Sequence, residues 1–395
     1  MRWIVLSLLL AVTTFNYLDR LMLSVLSPVL RETFALNESL YGNIAAVFQV
    51  CYALGYIVLG KAIDRVGTRT GLAVAAAVWS LASALHATVS DASQFGAWRA
   101  LLGFSEGANF PACSKAVAEW FPAEERALAT GIYNAGVNLA SVIGPPIFVA
   151  VTANYGWRAC FTAVSLLGLV WVAAWLVFCP RTPPRAVNPQ RGRTFRELLR
   201  LRATWGFVFG KILVDPVWYF LLFWLPLYFR DSLHLQMSQI GWVLPFIYFL
   251  SGAGSVLAGW LSGVLLRRGW TTRRARLAVL FTCAVLVPLT LGGAVGGELY
   301  RAALLFGVAA AAHQAYSSIA FTIPADVFPS SDVGAVLGLG GAAGAISSVL
   351  FSAVLPGYLI PRIGYTPMLL VLPLGYLAAA TVASRFYGSF GEARS

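Results

Sequence analysis

Charge is what this sequence has least of. Only 11 % of its 395 residues are Asp, Glu, Lys or Arg, against about 25 % in a soluble domain, while 59 % are hydrophobic. A water-facing surface cannot be assembled from so few charges, so a soluble globular protein is excluded. Histidine numbers 3 and cysteine 5. Cys51, Cys113, Cys160, Cys179 and Cys283 lie within or at the ends of apolar runs and show no CxxC spacing. Neither a disulfide framework nor a metal site is expected from them, and no cofactor.

Long apolar runs fill the space that charge leaves. They fall near 4–29, 40–60, 71–89, 94–116, 127–153, 158–179, 204–229, 238–266, 275–293, 300–325, 333–358 and 366–387. As α-helix each spans a hydrocarbon core of about 30 Å, whereas barrel strands would be about 10 residues long and alternating. The expectation is an all-α membrane protein with twelve transmembrane helices. The first run follows Arg2 like a signal peptide, but it continues past Asn16 and Asp19 to Leu30 without an A-x-A-like site. It reads as an uncleaved span.

The net charge of +12 would suggest nucleic acid in a soluble chain; its placement points to a lipid bilayer instead. Outside the runs, twenty Lys and Arg residues collect on one side, including Arg2, Lys61, Arg65, Arg69, seven of Arg181–Arg202, five of Arg267–Arg276 and Arg394. Arg31, Arg158, Arg230, Arg301 and Arg362 lie on the other side. The positive-inside rule places both termini and the 180–203 loop in the cytoplasm, with no nucleic-acid partner. That loop carries Pro180, Pro183, Pro184 and Pro189 ahead of a basic segment, Arg191–Arg202, which suits a short helix on the membrane surface. It divides the chain into a six-helix bundle over 1–179, a linker over 180–203 and a second six-helix bundle over 204–395. A Gly- and Arg-rich turn recurs in each half, Gly60–Arg69 and Gly259–Arg268, as in transporters built from repeats.

Three spans hold ionisable residues: Asp19 with Arg20, Arg99 with Glu106, and Lys211 with Asp215. Such residues in a membrane mark function by default. A carboxylate in low dielectric suits proton coupling, because desolvation favours its protonated form and a nearby arginine its charged form. Asp19 and Glu106 are both placed for that. Arg99 and Glu106 stand two turns apart on one helix face, about 10.5 Å along it, so their long side chains can lean together. The plainer alternative for each pair is a static buried ion pair. Lys211 and Asp215, at i,i+4, serve equally well as a self-neutralising pair or as substrate ligands.

Gly60-Lys61-Ala62-Ile63-Asp64-Arg65-Val66-Gly67-Thr68-Arg69 resembles the G-x-x-x-D-R-x-G-R motif of the major facilitator superfamily, at the same loop between spans 2 and 3, with Thr68 where a basic residue is usual. The resemblance implies gating by Gly60, Asp64, Arg65 and Arg69. Gly60 would permit close helix approach, and Asp64 would pair with a helix terminus or arginine in one transport state. Asn16-Tyr17-Leu18-Asp19-Arg20, Arg99 through Glu106-Gly107-Ala108-Asn109-Phe110-Pro111-Ala112, and Glu119–Arg126 resemble the organic anion–cation symporter branch. Asp215-Pro216-Val217-Trp218, Ala312-His313-Gln314-Ala315 and Asp326-Val327-Phe328 are most similar to its bacterial hexuronate transporters. In that branch the matching carboxylates of spans 1 and 4 bear the coupled proton, which implies the role for Asp19 and Glu106 with Arg99 beside them. The implied protein is a monomer in a bacterial inner membrane, importing a hexuronate with protons; an aldonate or aldarate is the alternative.

A sugar acid needs a cation for its carboxylate, hydroxyl partners and an aromatic face. Arg20, with a planar fork, is the first candidate for the carboxylate. Tyr17, Tyr52, Tyr133, Asn134, Asn138 and Gln314 are candidates for the hydroxyls, and Trp218 for the ring. Trp218 serves packing as readily, and His313 is as suited to a hydrogen-bonded packing role as to a ligand role. Pro216 removes a backbone hydrogen bond beside them. Gly103-Phe104-Ser105-Glu106-Gly107 matches a hydrolase nucleophile pattern, but its place inside an apolar helix makes its glycines helix contacts. Gly338–Gly344 likewise reads as close packing, not a dinucleotide fold. A channel or a non-transporting sensor would leave the buried carboxylates unexplained.

Overall fold

The computed structural model describes residues 1–181, 192–295 and 298–387. Pro183, Pro184, Pro189, Arg185 and Arg191 of the loop lie outside the described residues.

Nearly every described residue is helical. α1 (Arg2–Val25) leads into the short α2 (Ser27–Thr33), and α3 (Glu38–Val66) meets α4 (Thr68–His86) at Gly67. α5 (Ala92–Glu106) and α6 (Asn109–Trp120) are followed by α7 (Ala123–Tyr155) and α8 (Trp157–Phe178). One turn of helix, α9 (Phe195–Leu198), precedes α10 (Arg202–Asp231), α11 (Met237–Arg267), α12 (Thr272–Ala294) and α13 (Leu299–Val327). α14 (Ser330–Ser348) passes through a π-helical stretch, Val349–Val354, into α15 (Leu355–Ile363), and α16 (Thr366–Val371) continues through a 3₁₀ turn into α17 (Gly375–Phe386).

Among the described residues, eleven helical stretches are long and apolar enough to cross a membrane. The remaining span, expected over 94–116, is the pair α5 and α6, interrupted at Gly107–Ala108. Val50, Val58, Val74, Val170 and Phe249 are each more than half exposed, which only a lipid surround tolerates in such number. The chain is a multi-pass membrane protein.

Side chains start several helices. Asn37 accepts from the Leu40 N–H at 2.8 Å, Asp91 from Ser93 and Gln94 at 2.9 Å, and Thr271 from Arg274 at 3.3 Å, which satisfies N–H groups that a helix leaves open at its start. Thr194 and Glu197 form a reciprocal capping box on α9, the one turn of the expected surface helix that is present. Gly67, at φ 85°, lets the chain reverse between α3 and α4 where a Cβ would strain it.

Apolar burial does not drive helices together within lipid, so close approach must come from small residues. The contact of α3 with α5 is made this way. A Cβ on Gly103 would collide with the Phe48 carbonyl, and one on Gly107 would lie 2.6 Å from the Tyr56 nitrogen. The Gly103–Gly107 pentapeptide is therefore a helix contact with no strand or strained turn about it.

By contacts the described chain falls into two compact units. The first comprises Met1–Trp120, Gly136–Gly192 and Ser330–Gly338; the second comprises Phe121–Ala135, Arg193–Pro329 and Leu339–Ser395. The start of α7 thus packs within the second unit and the start of α14 within the first.

Candidate functional site

Asp19 and Arg20 are neighbours on α1, so about 100° of helical turn separates their side chains. They go to different partners. The Asp19 carboxylate, 1 % exposed, accepts a short hydrogen bond from the Ser83 hydroxyl of α4. Arg20 Nη2 donates to Glu106 Oε2 of α5 at 3.0 Å, where the Glu106 side chain has no exposure, and lies 3.5 Å from Asn16 Oδ1. Its guanidinium carbon sits 4.2 Å from the Tyr52 ring centre, 4.6 Å from Tyr17 and 5.3 Å from Phe48. Aromatic faces suit a weakly hydrated, planar cation.

The expected approach of Arg99 to Glu106 does not extend to a hydrogen bond or ion pair among the described residues. Glu106 takes its ion pair from Arg20. Arg99, buried, donates instead to the Asp19 backbone carbonyl at 3.4 Å and packs 4.7 Å over the Phe48 ring. Two carboxylates and two guanidinium groups are thereby gathered from α1 and α5, with a formal sum of zero. Glu106 Oε1 and Arg99 Nε are buried with no hydrogen-bond partner among the described residues. A buried polar atom left unpaired is costly.

The remaining candidates divide. Tyr52 donates to the Tyr56 hydroxyl at 3.3 Å. Asn134 is committed to packing in the second unit: its amide donates to Ser318 Oγ at 3.1 Å, Ser318 meets Ser255 at 2.6 Å, and Ser255 donates to the Gly131 carbonyl at 2.8 Å. Asn138, one turn further on α7, is buried with neither amide atom bonded among the described residues. Tyr133 and Gln314 are buried.

His313 is held on both sides. Its ring stacks on Trp218 at 4.8 Å and 6°, and Nδ1 makes a short hydrogen bond with the Tyr376 hydroxyl. One face of Trp218 is thus occupied by imidazole, and Tyr248 meets the ring edge-on at 6.2 Å. Lys211 Nζ lies 2.7 Å from Asp215 Oδ1 and 4.3 Å from the Phe321 ring centre.

Asp64, Thr68 and Arg69 of the Gly60–Arg69 segment are all bonded. Asp64 accepts from Lys115 Nζ at 3.2 Å and from the Gly334 and Ala335 N–H groups, near the start of α14, at 3.0 and 2.7 Å. A Cβ on Gly60 would collide with the Gly334 carbonyl. Thr68, where the resembling motif has a basic residue, donates to Glu119 at 2.8 Å. Arg69 donates to the Cys179 and Leu176 carbonyls at 2.8 and 2.5 Å, and Arg65 is exposed. In the second unit Asp326 receives Arg126 Nη1 at 3.1 Å and Arg276 Nε at 2.9 Å, with Arg276 also donating to Ser262 and the Ala123 carbonyl.

Residues 9–352 match the Major Facilitator Superfamily, a span that takes in the Asp19–Glu106 cluster, the Asp64 turn, Lys211 and His313. The chain belongs to the Major Facilitator Superfamily. This facilitator is a transporter and not an enzyme. It is 28 % identical over 404 residues to the hexuronate transporter of Escherichia coli (strain K12), covering 97 % of this chain and 93 % of that protein. It is 25 % identical over 400 residues to the probable galactarate/D-glucarate transporter GudP of Bacillus subtilis (strain 168), covering 92 % and 86 %. Its fold is similar to that of the proton:xylose symporter XylE bound to 6-bromo-6-deoxy-D-glucose, with a TM-score of 0.80 at 14 % identity over 100 % of this chain and 97 % of that one. The architecture is the facilitator fold, with twelve spanning helices in two six-helix bundles.

Proposed function

We propose that this facilitator imports an anionic sugar acid, most fittingly a hexuronate such as galacturonate or glucuronate, together with protons, as a monomer in a bacterial inner membrane by alternating access. The observation that carries the reading is Arg20 paired with Glu106 at 3.0 Å inside an aromatic box. The cluster sums to zero charge, so a carboxylate entering it adds an uncompensated negative charge in low dielectric, which is expensive. A proton taken by Glu106 removes that excess and frees the Arg20 fork for the ligand, while one taken by Asp19 removes the excess charge alone. Substrate and proton then enter together. Tyr17, Tyr52 and Asn138, all of the first unit, are the partners offered to the substrate's hydroxyls. Asp64 would hold the Gly60–Arg69 turn closed through Gly334 and Ala335 in one state and release it in the other. The identities to hexuronate transporters support the substrate class.

Uptake into proteoliposomes tests the reading, with galacturonate competed by glucuronate, an aldonate, an aldarate and a neutral hexose under an imposed proton gradient. Gradient-dependent galacturonate uptake, outcompeted by glucuronate and not by hexose, is expected. Flux indifferent to the gradient, or no flux, would return the protein to a channel or sensor. Orientation has its own check: a cysteine introduced into the 180–203 loop of a cysteine-free variant should resist an impermeant thiol reagent applied to intact cells.

A further inference from the structure

At one end of the second unit α9, the starts of α10 and α12 and the close of α17 meet, and arginines collect there that none of the steps above uses. Arg273 Nη2 of α12 donates to the Ser384 carbonyl of α17 at 2.7 Å, and the Arg202 guanidinium carbon of α10 lies 5.6 Å from the Phe386 ring centre. The Trp205 indole donates to the Leu199 carbonyl at 2.8 Å, which ties the close of α9 to α10. Arg196, Arg200, Arg202, Arg274 and Arg385 share this end and are all exposed. Arg273 Nε is buried with no hydrogen-bond partner among the described residues. The acidic groups of this end are few and placed elsewhere. Glu197 accepts from the Thr194 N–H at 2.6 Å at the start of its own helix, Glu124 and Glu125 begin α7 beside Gly263 of α11, and Asp326 is buried between Arg126 and Arg276.

The surface beneath these arginines is aromatic. Arg202, Trp205 and Phe209 stand at i, i+3 and i+7, so they share one face of α10. The Trp205 and Phe209 rings pack with centres 5.4 Å apart and are 38 % and 40 % exposed. Since α10 is a spanning helix that begins at Arg202, cations at its first residue stand over an aromatic pair at the depth where tryptophan marks the boundary between headgroup and hydrocarbon. A water-soluble anion would meet only the arginines, whereas a lipid meets both layers.

We propose that this end of the second unit binds the headgroups of anionic phospholipids, with phosphate on Arg196, Arg200 and Arg202 and the upper acyl chains along Trp205 and Phe209. Arginine forks match phosphate oxygens, and each further cation at an anionic surface strengthens the hold. Arg274 and Arg385 extend the patch across α12 and α17. The bound lipid fastens α9 and the start of α10 to the membrane surface, whichever solute the protein carries.

The test takes the full-length protein in a neutral maltoside detergent and titrates it with short-chain phosphatidylglycerol, phosphatidylcholine or inorganic phosphate, counting bound lipid by native mass spectrometry and following thermal unfolding. Phosphatidylglycerol should bind and raise the unfolding temperature; phosphatidylcholine and inorganic phosphate should do neither. The combined exchange Arg196→Gln, Arg200→Gln and Arg202→Gln should weaken phosphatidylglycerol about 5-fold for each arginine removed. Arg301→Gln with Arg362→Gln, which removes exposed arginines at the start of α13 and the close of α15, should leave its affinity near wild type. Phe209→Ala should weaken the lipid with every arginine in place. Equal binding of phosphatidylcholine, displacement of phosphatidylglycerol by inorganic phosphate or a polyglutamate peptide, or a triple variant that binds as the wild type does would each overturn the inference. None of these outcomes bears on the sugar-acid reading.

Discussion

Both units place charge within the membrane, and each cluster sums to zero, yet the pairs are closed differently. In the first unit Arg20 of α1 reaches Glu106 of α5, 86 residues away in sequence, and Arg99 reaches back to the Asp19 carbonyl. In the second, Lys211 and Asp215 close on one another within one helix. A pair that bridges two helices changes when either helix moves, so its proton affinity is tied to conformation. A pair within one turn of helix rides with that helix and responds only to what enters beside it. Coupling together with uronate binding is thus expected of the first cluster, and no tie to helix movement of the second.

That contrast fails most visibly if Arg20 proves dispensable. Arg20→Ala should cost uronate binding about 3–5 kcal/mol, since it leaves a carboxylate unpaired in low dielectric, and should narrow the gap between uronate and a neutral hexose of the same stereochemistry. Arg20→Lys should cost less, keeping charge but losing the fork. Competition binding checks both; an undiminished preference for the uronate would move its carboxylate to Arg99 or Lys211.

Glu106→Gln and Asp19→Asn should abolish gradient-driven uptake but leave exchange of labelled for unlabelled substrate. In the wild type, uronate affinity should fall as pH rises, because the proton that balances the ligand becomes scarcer; in Glu106→Gln that dependence should flatten. Uptake at the wild-type rate in both variants would remove coupling from the first unit.

Smaller effects sharpen the comparison. Tyr52→Leu strips one aromatic face from Arg20 and should weaken uronate binding by about 0.5–2 kcal/mol. His313→Gln should change uronate affinity less than this, and should lower thermal stability by about 1 kcal/mol through the lost Tyr376 hydrogen bond. A His313 effect on binding as large as that of Arg20 would mean that the second unit also holds the carboxylate.

Charges within apolar runs were legible because their cost makes them conspicuous: Asp19, Arg20, Arg99, Glu106, Lys211 and Asp215 all stand out from one sequence. Their partners were not. Spacing along one helix brings Arg99 near Glu106, but it says nothing of α1, whose Arg20 takes that carboxylate. Ser83 and Phe48, which complete the first cluster, and Tyr376, which holds His313, are uncharged and look like any other residue of their helices. Eleven of the spans followed from run length, while the interruption of the fourth at Gly107–Ala108 was hidden because Gly107 reads equally as a packing glycine, which it also is. The π-helical stretch in Val349–Val354 left no mark, since its residues are ordinary apolar ones.

The 86 residues between Arg20 and Glu106 also order the protein's synthesis. α1 must enter the bilayer carrying Asp19 and Arg20 before the helix that balances them has been made. At about 5–20 residues per second the ribosome takes about 4–17 s to supply Glu106. Until then Arg20 lacks its partner carboxylate, at a cost of about 2.5–3.5 kcal/mol for a central charge. The arrival of α5 then supplies Arg20 with its partner carboxylate.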